Sequence, residues 1–261
     1  MIYLHPTTQQ KIAHYALAPA QSTLMVGDEG IGFSGILEVI GGQPYVVRPE
    51  NGTISAEAIR SLYDLTRSRS TTKRLIVIDD ADLMSLTAQN AFLKLLEEPS
   101  PSTYFLLLSH APERLLPTIR SRVAMIQLAP ITLEQSNQLL DELKVTDATK
   151  RQQLLFIATG LPALLATLAH DETIFESRAQ LVRDARTLLQ ESTYQKLKVA
   201  QKYKDRSTAL SLLKDATRFL RQTTSPINAS TTLKRLDILM ISYERIEANG
   251  NVRLWLAMAA L

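Results

Sequence analysis

The sequence predicts an α/β first half built on a parallel sheet, followed by an all-helical second half. Three observations predict it. Short continuous apolar runs, Arg74–Ile78 (RLIVI) and Tyr104–Ser109, have the length and composition of strands buried on both faces. Segments of helical period alternate with these runs, the pattern of a sheet covered by crossover helices. After Thr132 the strand signal stops and only amphipathic helical periods remain.

The elements follow in order. Ser22–Val26 is a short apolar strand that ends in the loop Gly27–Gly35, where Gly30, Gly32 and Gly35 permit unusual dihedrals. A helix is expected over Gly35–Ile40 and a second strand over Tyr45–Arg48. Ser55–Arg69 reads as a helix with Ile59, Leu62, Tyr63 and Leu65 on one face. Ser85–Glu98 places Leu86, Phe92, Leu93 and Leu96 at helical spacing and stops at Pro99. Thr132 is a good N-cap for a helix over Glu134–Leu143. Lys150–Thr159 and Leu161–Ala169 are two more helices around Gly160. Beyond Asp171, long helices are expected at about 173–191, 193–204, 207–222 and 231–248. The last carries Leu233, Leu236, Leu239, Met240, Tyr243 and Ile246 as one apolar stripe. Asn249-Gly250 signals its end, and a short helix follows. Thr223–Thr232 reads as a flexible loop.

Composition narrows the function classes. The 261 residues carry 29 Lys and Arg against 26 Asp and Glu, for a net charge of +3. Counted by position, residues 171–261 hold 15 basic and 10 acidic side chains, leaving 14 and 16 in residues 1–170. The helical third is therefore the basic part. There is no cysteine. That excludes disulfides, thiol catalysis and Cys-ligated zinc. The four histidines stand at no metal-ligand spacing, so no metal site is expected. No apolar stretch reaches the roughly 18 residues of a membrane span. The start MIYLHPTTQQK lacks a secretory pattern. A cytoplasmic location is expected.

Two motifs suggest nucleotide chemistry. Gly27-Asp28-Glu29-Gly30-Ile31-Gly32-Phe33-Ser34 has the spacing of a phosphate-binding loop, G-x-x-x-x-G-K-[ST], between a strand and a helix. Phe33 replaces its lysine, and a phenyl ring cannot neutralise phosphates. Asp28 and Glu29 add negative charge beside it. Backbone amides and Ser34 could still hold a nucleotide weakly, but the electrostatics are wrong for tight binding, and a strand-to-helix turn with no functional ATP site is the favoured reading. Leu75–Ile78 then runs into Asp79, Asp80 and Asp82, an apolar strand ending in acids, as in a Walker B element where acids hold magnesium and polarise water. A capped loop is the plainer reading.

The segment Asn90-Ala91-Phe92-Leu93-Lys94-Leu95-Leu96-Glu97-Glu98-Pro99 resembles the N-A-L-L-K-x-L-E-E-P helix of clamp-loader ATPases. Phe105–Ser109 resembles their sensor-1 strand. Leu115-Leu116-Pro117-Thr118-Ile119-Arg120-Ser121-Arg122 resembles their L-L-P-T-I-x-S-R-C motif, with Val123 in place of the cysteine. Asn249-Gly250-Asn251-Val252-Arg253-Leu254 is similar to the N-x-N-x-R-L motif that closes the collar. The chain thus resembles the AAA+ clamp-loader subunits of bacterial DNA polymerase III, above all the delta-prime type.

That resemblance implies an AAA+ α/β domain at 1–130, a small helical lid at 131–170 and an all-helical collar at 171–261. It implies work within a clamp loader, alongside gamma/tau-like ATPase subunits and a delta-like clamp-opening subunit, on the sliding clamp and primed DNA. The departures imply a subunit without ATPase activity of its own. Phe33 replaces the loop lysine, and Ala163, in Gly160-Leu161-Pro162-Ala163, stands where the family's ATPase has a sensor-2 arginine. The four zinc-binding cysteines found in many relatives are missing, so no zinc is implied. Gly27, Gly32, Ser34, Asp79 and Asp80 would be a vestigial nucleotide site. Arg122 would serve as an arginine finger in a neighbour's site, because a planar guanidinium stabilises charge spread over phosphoryl oxygens. A surface salt bridge is the plainer reading of Arg122. Two rival functions remain open at this point: a divergent ATPase using Ser34, Asp79 and Asp80, and a DNA-binding adaptor. The densest basic run, Lys196, Lys198, Lys202, Lys204 and Arg206, is expected to be a solvated helical face, with a contact to DNA or an acidic partner as the alternative.

Overall fold

A computed structural model describes residues 3–67, 73–98, 100–222 and 229–260. The chain forms two compact units, Met1–His170 and Asp171–Leu261.

Among the described residues the first unit holds five parallel strands: β1 (Ser22–Val26), β2 (Tyr45–Val47), β3 (Arg74–Ile78), β4 (Thr103–Ser109) and β5 (Ala124–Gln127), in the order β2-β3-β4-β1-β5. Side chains alternate between its faces. Leu24, Ile76, Ile78, Phe105 and Leu107 point to one, where α3 (Ala56–Arg67) and α4 (Leu86–Glu97) pack with Ile59, Leu62, Ala88 and Phe92. Met25, Val77, Leu106 and Leu108 point to the other, where α1 (Pro6–Leu17) and α2 (Phe33–Ile40) add Ile12, Tyr15 and Ile36. Phe92 meets Phe105 edge to face at 5.3 Å. A one-turn helix α5 (Pro117–Arg120) precedes β5. Three helices close the unit: α6 (Leu133–Glu142), α7 (Ala148–Ala158) and α8 (Pro162–His170). The Thr132 N-cap forms a full capping box with Gln135.

The second unit is helical: α9 (Glu172–Gln190), α10 (Thr193–Lys202), α11 (Arg206–Gln222), α12 (Ala229–Glu247) and α13 (Val252–Ala260). Leu188, Leu212, Leu213, Ala216, Leu239, Ile246 and Leu256 form its core. Buried charge ties α9 to its neighbours. Arg178 makes a bidentate pair with Asp215 of α11, at 2.5 and 2.7 Å. Asp184 accepts from Gln180 at 2.9 Å, Lys202 at 2.5 Å and Tyr203 at 2.7 Å.

Several expectations need correction. The helix after the glycine loop starts at Phe33 rather than Gly35, because Gly32 takes a left-handed conformation (φ 90°) from which it launches. Helix α1 and strand β5 were not expected. In α12 the buried face is Thr232, Leu239, Ser242 and Ile246, while Leu233 and Met240 are 59% and 46% exposed, so the six apolar residues are not one buried stripe. Ala229–Thr232 is helix rather than loop, and residues 223–228 of that expected loop lie outside the described residues. So do Ser68 and Arg69 of the expected third helix, and Pro99. The basic run is not one solvated face: Lys196 is buried, Lys202 pairs with Asp184, and Arg206 donates to Asn249. Burial and the nearby Arg235 hold the Lys196 ammonium below the usual lysine range.

Candidate functional site

The C-terminal ends of β1, β3 and β4 bring the glycine loop and the acids together. Sheets of this kind place ligands at that end, where the strand order reverses. Gly27 donates its N–H to the Ser109 carbonyl at 3.3 Å. Gly30 and Gly32 both have positive φ, at 91° and 90°. Ser34 is exposed in the first turn of α2.

Phe33, in the lysine position, does not face an open phosphate site. It is buried and stacks on the His110 ring at 4.7 Å. His110 donates from Nδ1 to the Gly27 carbonyl at 2.7 Å, and its Nε2 lies 3.8 Å from Asp80. Of the two acids, Asp79 has a cation beside it. Arg48, just beyond β2, reaches Asp79 at 3.4 Å. Burial, then the neighbouring Asp79, push the Asp80 carboxyl above its ordinary range; His110 pulls it back, while Asp82 and Glu29 add to the rise. Asp80 itself has φ 50°, a strained conformation of the kind that gathers at functional sites. Asp82 is structural: it accepts from the Ser109 hydroxyl at 2.7 Å and the His110 N–H at 3.0 Å.

The Gly160-Leu161-Pro162-Ala163 turn lies against the same loop. The first N–H groups of α8, from Ala163 and Leu164, donate to the Gly30 carbonyl at 3.0 and 3.3 Å. A Cβ on Gly30 would stand 2.6 Å from Leu164 Cβ. These residues do not fit a magnesium-bound triphosphate. A buried phenyl ring replaces the phosphate-binding ammonium, Arg48 occupies the charge of Asp79, and the α8 amides are already spent on Gly30. No group of three or more metal-ligating side chains occurs among the described residues.

Arg122 stands apart. It follows α5 and is held at the opposite end of α4 from Ser85, the N-cap beside the acids. Twelve helical residues span about 18 Å. Its Nη1 donates to the Thr118 carbonyl at 3.1 Å and its Nη2 lies 3.2 Å from Glu97, with 41% of the side chain exposed. Arg120 is exposed as well.

Sequence reasoning missed Arg48, His110 and Gln89. The first two were invisible because their contacts join residues far apart in the chain. Gln89 did leave a signal: it is the one polar side chain on the buried face of α4, and it precedes the quoted Asn90 motif by one position.

Comparison with known proteins adds a consistent likeness. A family described as "DNA polymerase III, delta subunit" matches residues 40–132. The DNA polymerase III subunit delta' of Pseudomonas aeruginosa is 33% identical over 153 residues, covering 56% of this chain and 46% of that protein. Its Escherichia coli counterpart is 39% identical over 90 residues, covering 33% and 27%. The chain thus spans less than half the length of these curated relatives. Among solved structures, a DNA polymerase III gamma-subunit-related protein of Thermotoga maritima superposes with a TM-score of 0.51 at 20% identity, covering 97% of both chains. The α/β AAA+ fold with a helical C-terminal part is borne out, and so is the likeness to delta-prime clamp-loader subunits.

Proposed function

We propose that this chain is a delta-prime-like subunit of a DNA polymerase III clamp loader that hydrolyses no ATP itself and completes a neighbour's ATP site with Arg122. The observation that carries this reading is the placement of Arg122: presented at the surface, oriented by two partners, and roughly a helix length from its own acids. An arginine so placed serves a site on another chain better than its own. Its permanent charge and planar fork suit charge spread over a transferring phosphoryl group. The buried Phe33, the Arg48–Asp79 pair and the Gly30 contact with α8 support a subunit that needs no nucleotide for its own fold. With no cysteine, it needs no zinc.

In this reading the partners are gamma/tau-like ATPase subunits and a delta-like clamp-opening subunit. The complex acts on the sliding clamp and primed DNA, in the cytoplasm. No helix among the described residues is long and apolar enough to cross a membrane.

The test is Arg122→Ala in a reconstituted loader. The complex should assemble, and its DNA-stimulated ATPase and clamp loading should fall. An arginine finger contributes roughly 10³–10⁵ in rate at one site, but the loader's other sites keep their own, so the total falls by less. Arg122→Lys should rescue poorly and Arg120→Ala should be milder. Unchanged turnover in an intact Arg122→Ala complex refutes the trans role. Magnesium-dependent ATPase by the isolated wild-type chain refutes the non-hydrolysing one.

A further inference from the structure

We infer that the exposed face of α10, with Arg183 of α9 beside it, is a docking surface for single-stranded DNA. This surface goes beyond the role of Arg122 and does not depend on it; the choice of DNA over RNA rests on the clamp-loader reading. Residues 193–204 contain four lysines and no acid. Lys196 is buried, but Lys198 and Lys204 are exposed and have no side-chain partner among the described residues. Lys202 keeps 49% of its side chain exposed while it pairs with Asp184. Tyr194, Lys198 and Lys202 stand four residues apart, so they line one side of α10 over about 12 Å. A run of bonds brings a fourth cation to that line. The exposed Arg183 donates to Gln180 at 2.9 and 3.3 Å, Gln180 donates to Asp184 at 2.9 Å, and Asp184 holds Lys202.

Little negative charge opposes these cations. Asp184 is buried under three donors, and Asp205 spends its carboxylate on Ser207 and Thr208. Helix α13, which also packs on α10, carries Arg253 and no acid. Glu191 stands three residues before Tyr194, at the end of the line away from the lysines, and Glu176 lies two turns from Arg183 along α9. A merely solvated helical face gains from acids placed three or four residues from its lysines. Around Lys198 those places hold Tyr194, Gln195, Gln201 and Lys202, so the helix carries a like-charge pair instead. A bound polyanion relieves that repulsion. Tyr194, 73% exposed at one end of the line, selects the kind of polyanion. Cations beside a bare aromatic ring suit a strand whose phosphates meet the cations and whose unpaired base stacks on the ring. A duplex keeps its bases inside and offers Tyr194 nothing, and an acidic peptide offers charge alone. At about 3.4 Å per nucleotide, 12 Å of helix accommodates three or four nucleotides.

The test is fluorescence anisotropy of the full chain with a labelled oligo-dT of about 16 nucleotides, across a salt series. With four cations on phosphates, log K should fall against log salt with a slope of about −2.8, since each contact on a single strand contributes about −0.7. Lys198→Ala and Lys204→Ala should each flatten the slope by about 0.7. Tyr194→Ala should weaken binding about 5- to 100-fold and leave the slope unchanged. Lys144→Ala, at an exposed lysine of the first unit, and Arg122→Ala should bind as wild type. An unchanged slope in both lysine variants overturns the surface. So does equal binding of a duplex of the same length. Displacement of the oligo-dT by poly-glutamate of matched charge overturns it in favour of an acidic protein, and tighter binding of oligo-U in favour of RNA. Loss of binding in Arg122→Ala overturns it by placing the strand at α5. None of these readings uses the turnover of the Arg122→Ala loader, so this surface and the trans role can fail separately.

Discussion

Replacing Gly30 with alanine should uncouple the glycine loop from α8, and its cost can be worked from two observations. Gly30 has φ 91°, and an alanine there carries about 1–2 kcal/mol of backbone strain. The new Cβ would also stand 2.6 Å from Leu164 Cβ and 3.4 Å from the Leu164 nitrogen. Relieving that overlap means shifting the first turn of α8, comparable to overpacking a core, at about 1–3 kcal/mol. The total is about 2–5 kcal/mol. Gly52 is the control: its φ is 77°, with nothing within 4 Å of its would-be Cβ, so Gly52→Ala carries the strain alone. Each kcal/mol moves Tm by about 2–4 °C in a unit of this size. Gly30→Ala should therefore melt about 2–12 °C below Gly52→Ala by circular dichroism. Hydrogen exchange should place the faster amides in residues 162–170. Equal melting temperatures, or exchange confined to the loop, would refute the contact between loop and helix.

Three further outcomes are expected. Asp80→Asn should stabilise the protein at neutral pH: the carboxyl is raised from its ordinary 3.8, so its favourable share is complete below that value and is lost as pH rises through the folded one. Asp80 is partly exposed, so the gain is about 1 kcal/mol or less, and a Tm difference that does not shrink on acidification counts against it. Asp215→Asn leaves Arg178 partly buried without its partner and should cost about 3 kcal/mol, read in urea by the fluorescence of Trp255, the single tryptophan; an unmoved midpoint would show the pair to be incidental. Phe33→Lys puts an ammonium into an apolar cluster and should lower stability by at least 1 kcal/mol without creating an ATPase, and turnover by that variant would mean the stacked rings do not close the site.

Burial on both faces decided which strands were legible. β1, β3 and β4 lie inside the sheet, none of their positions is exposed, and each carries an unbroken apolar run, Leu24–Val26, Leu75–Ile78 and Tyr104–Leu108. β5 reads AMIQ, sits at an edge and is largely exposed, so its sequence carries neither alternation nor a continuous run. Helix α1 (PTTQQKIAHYAL) buries only Thr8, Ile12 and Tyr15, too few to mark a face. The glycine loop and the acid pair were legible because their chemistry depends on spacing along the chain. What fills the site was not. Phe33 is a core residue because it joins an apolar cluster and stacks on His110, and Asp79 is paired because β2 delivers Arg48 alongside. α12 misled because helical period locates a face without saying which side is covered, and Ser242 and Thr232 took inward positions that apolar residues left for solvent.

The strand order also bears on how the protein is made. β1 is synthesised ahead of the sheet's other four strands, yet both of its neighbours come late: Ser22 pairs with Phe105, 83 residues on (105 − 22), and Thr23 with Ala124, 101 residues on (124 − 23). At about 5–20 residues per second, a ribosome leaves this apolar strand without either partner for roughly 4–17 s. Both its edges are open to other chains during that interval. No local hairpin can shelter it, since every pairing in the sheet is parallel. Synthesis therefore depends on whatever covers STLMV at the tunnel exit, and slowing translation ahead of residue 103 should raise the fraction of chains that aggregate.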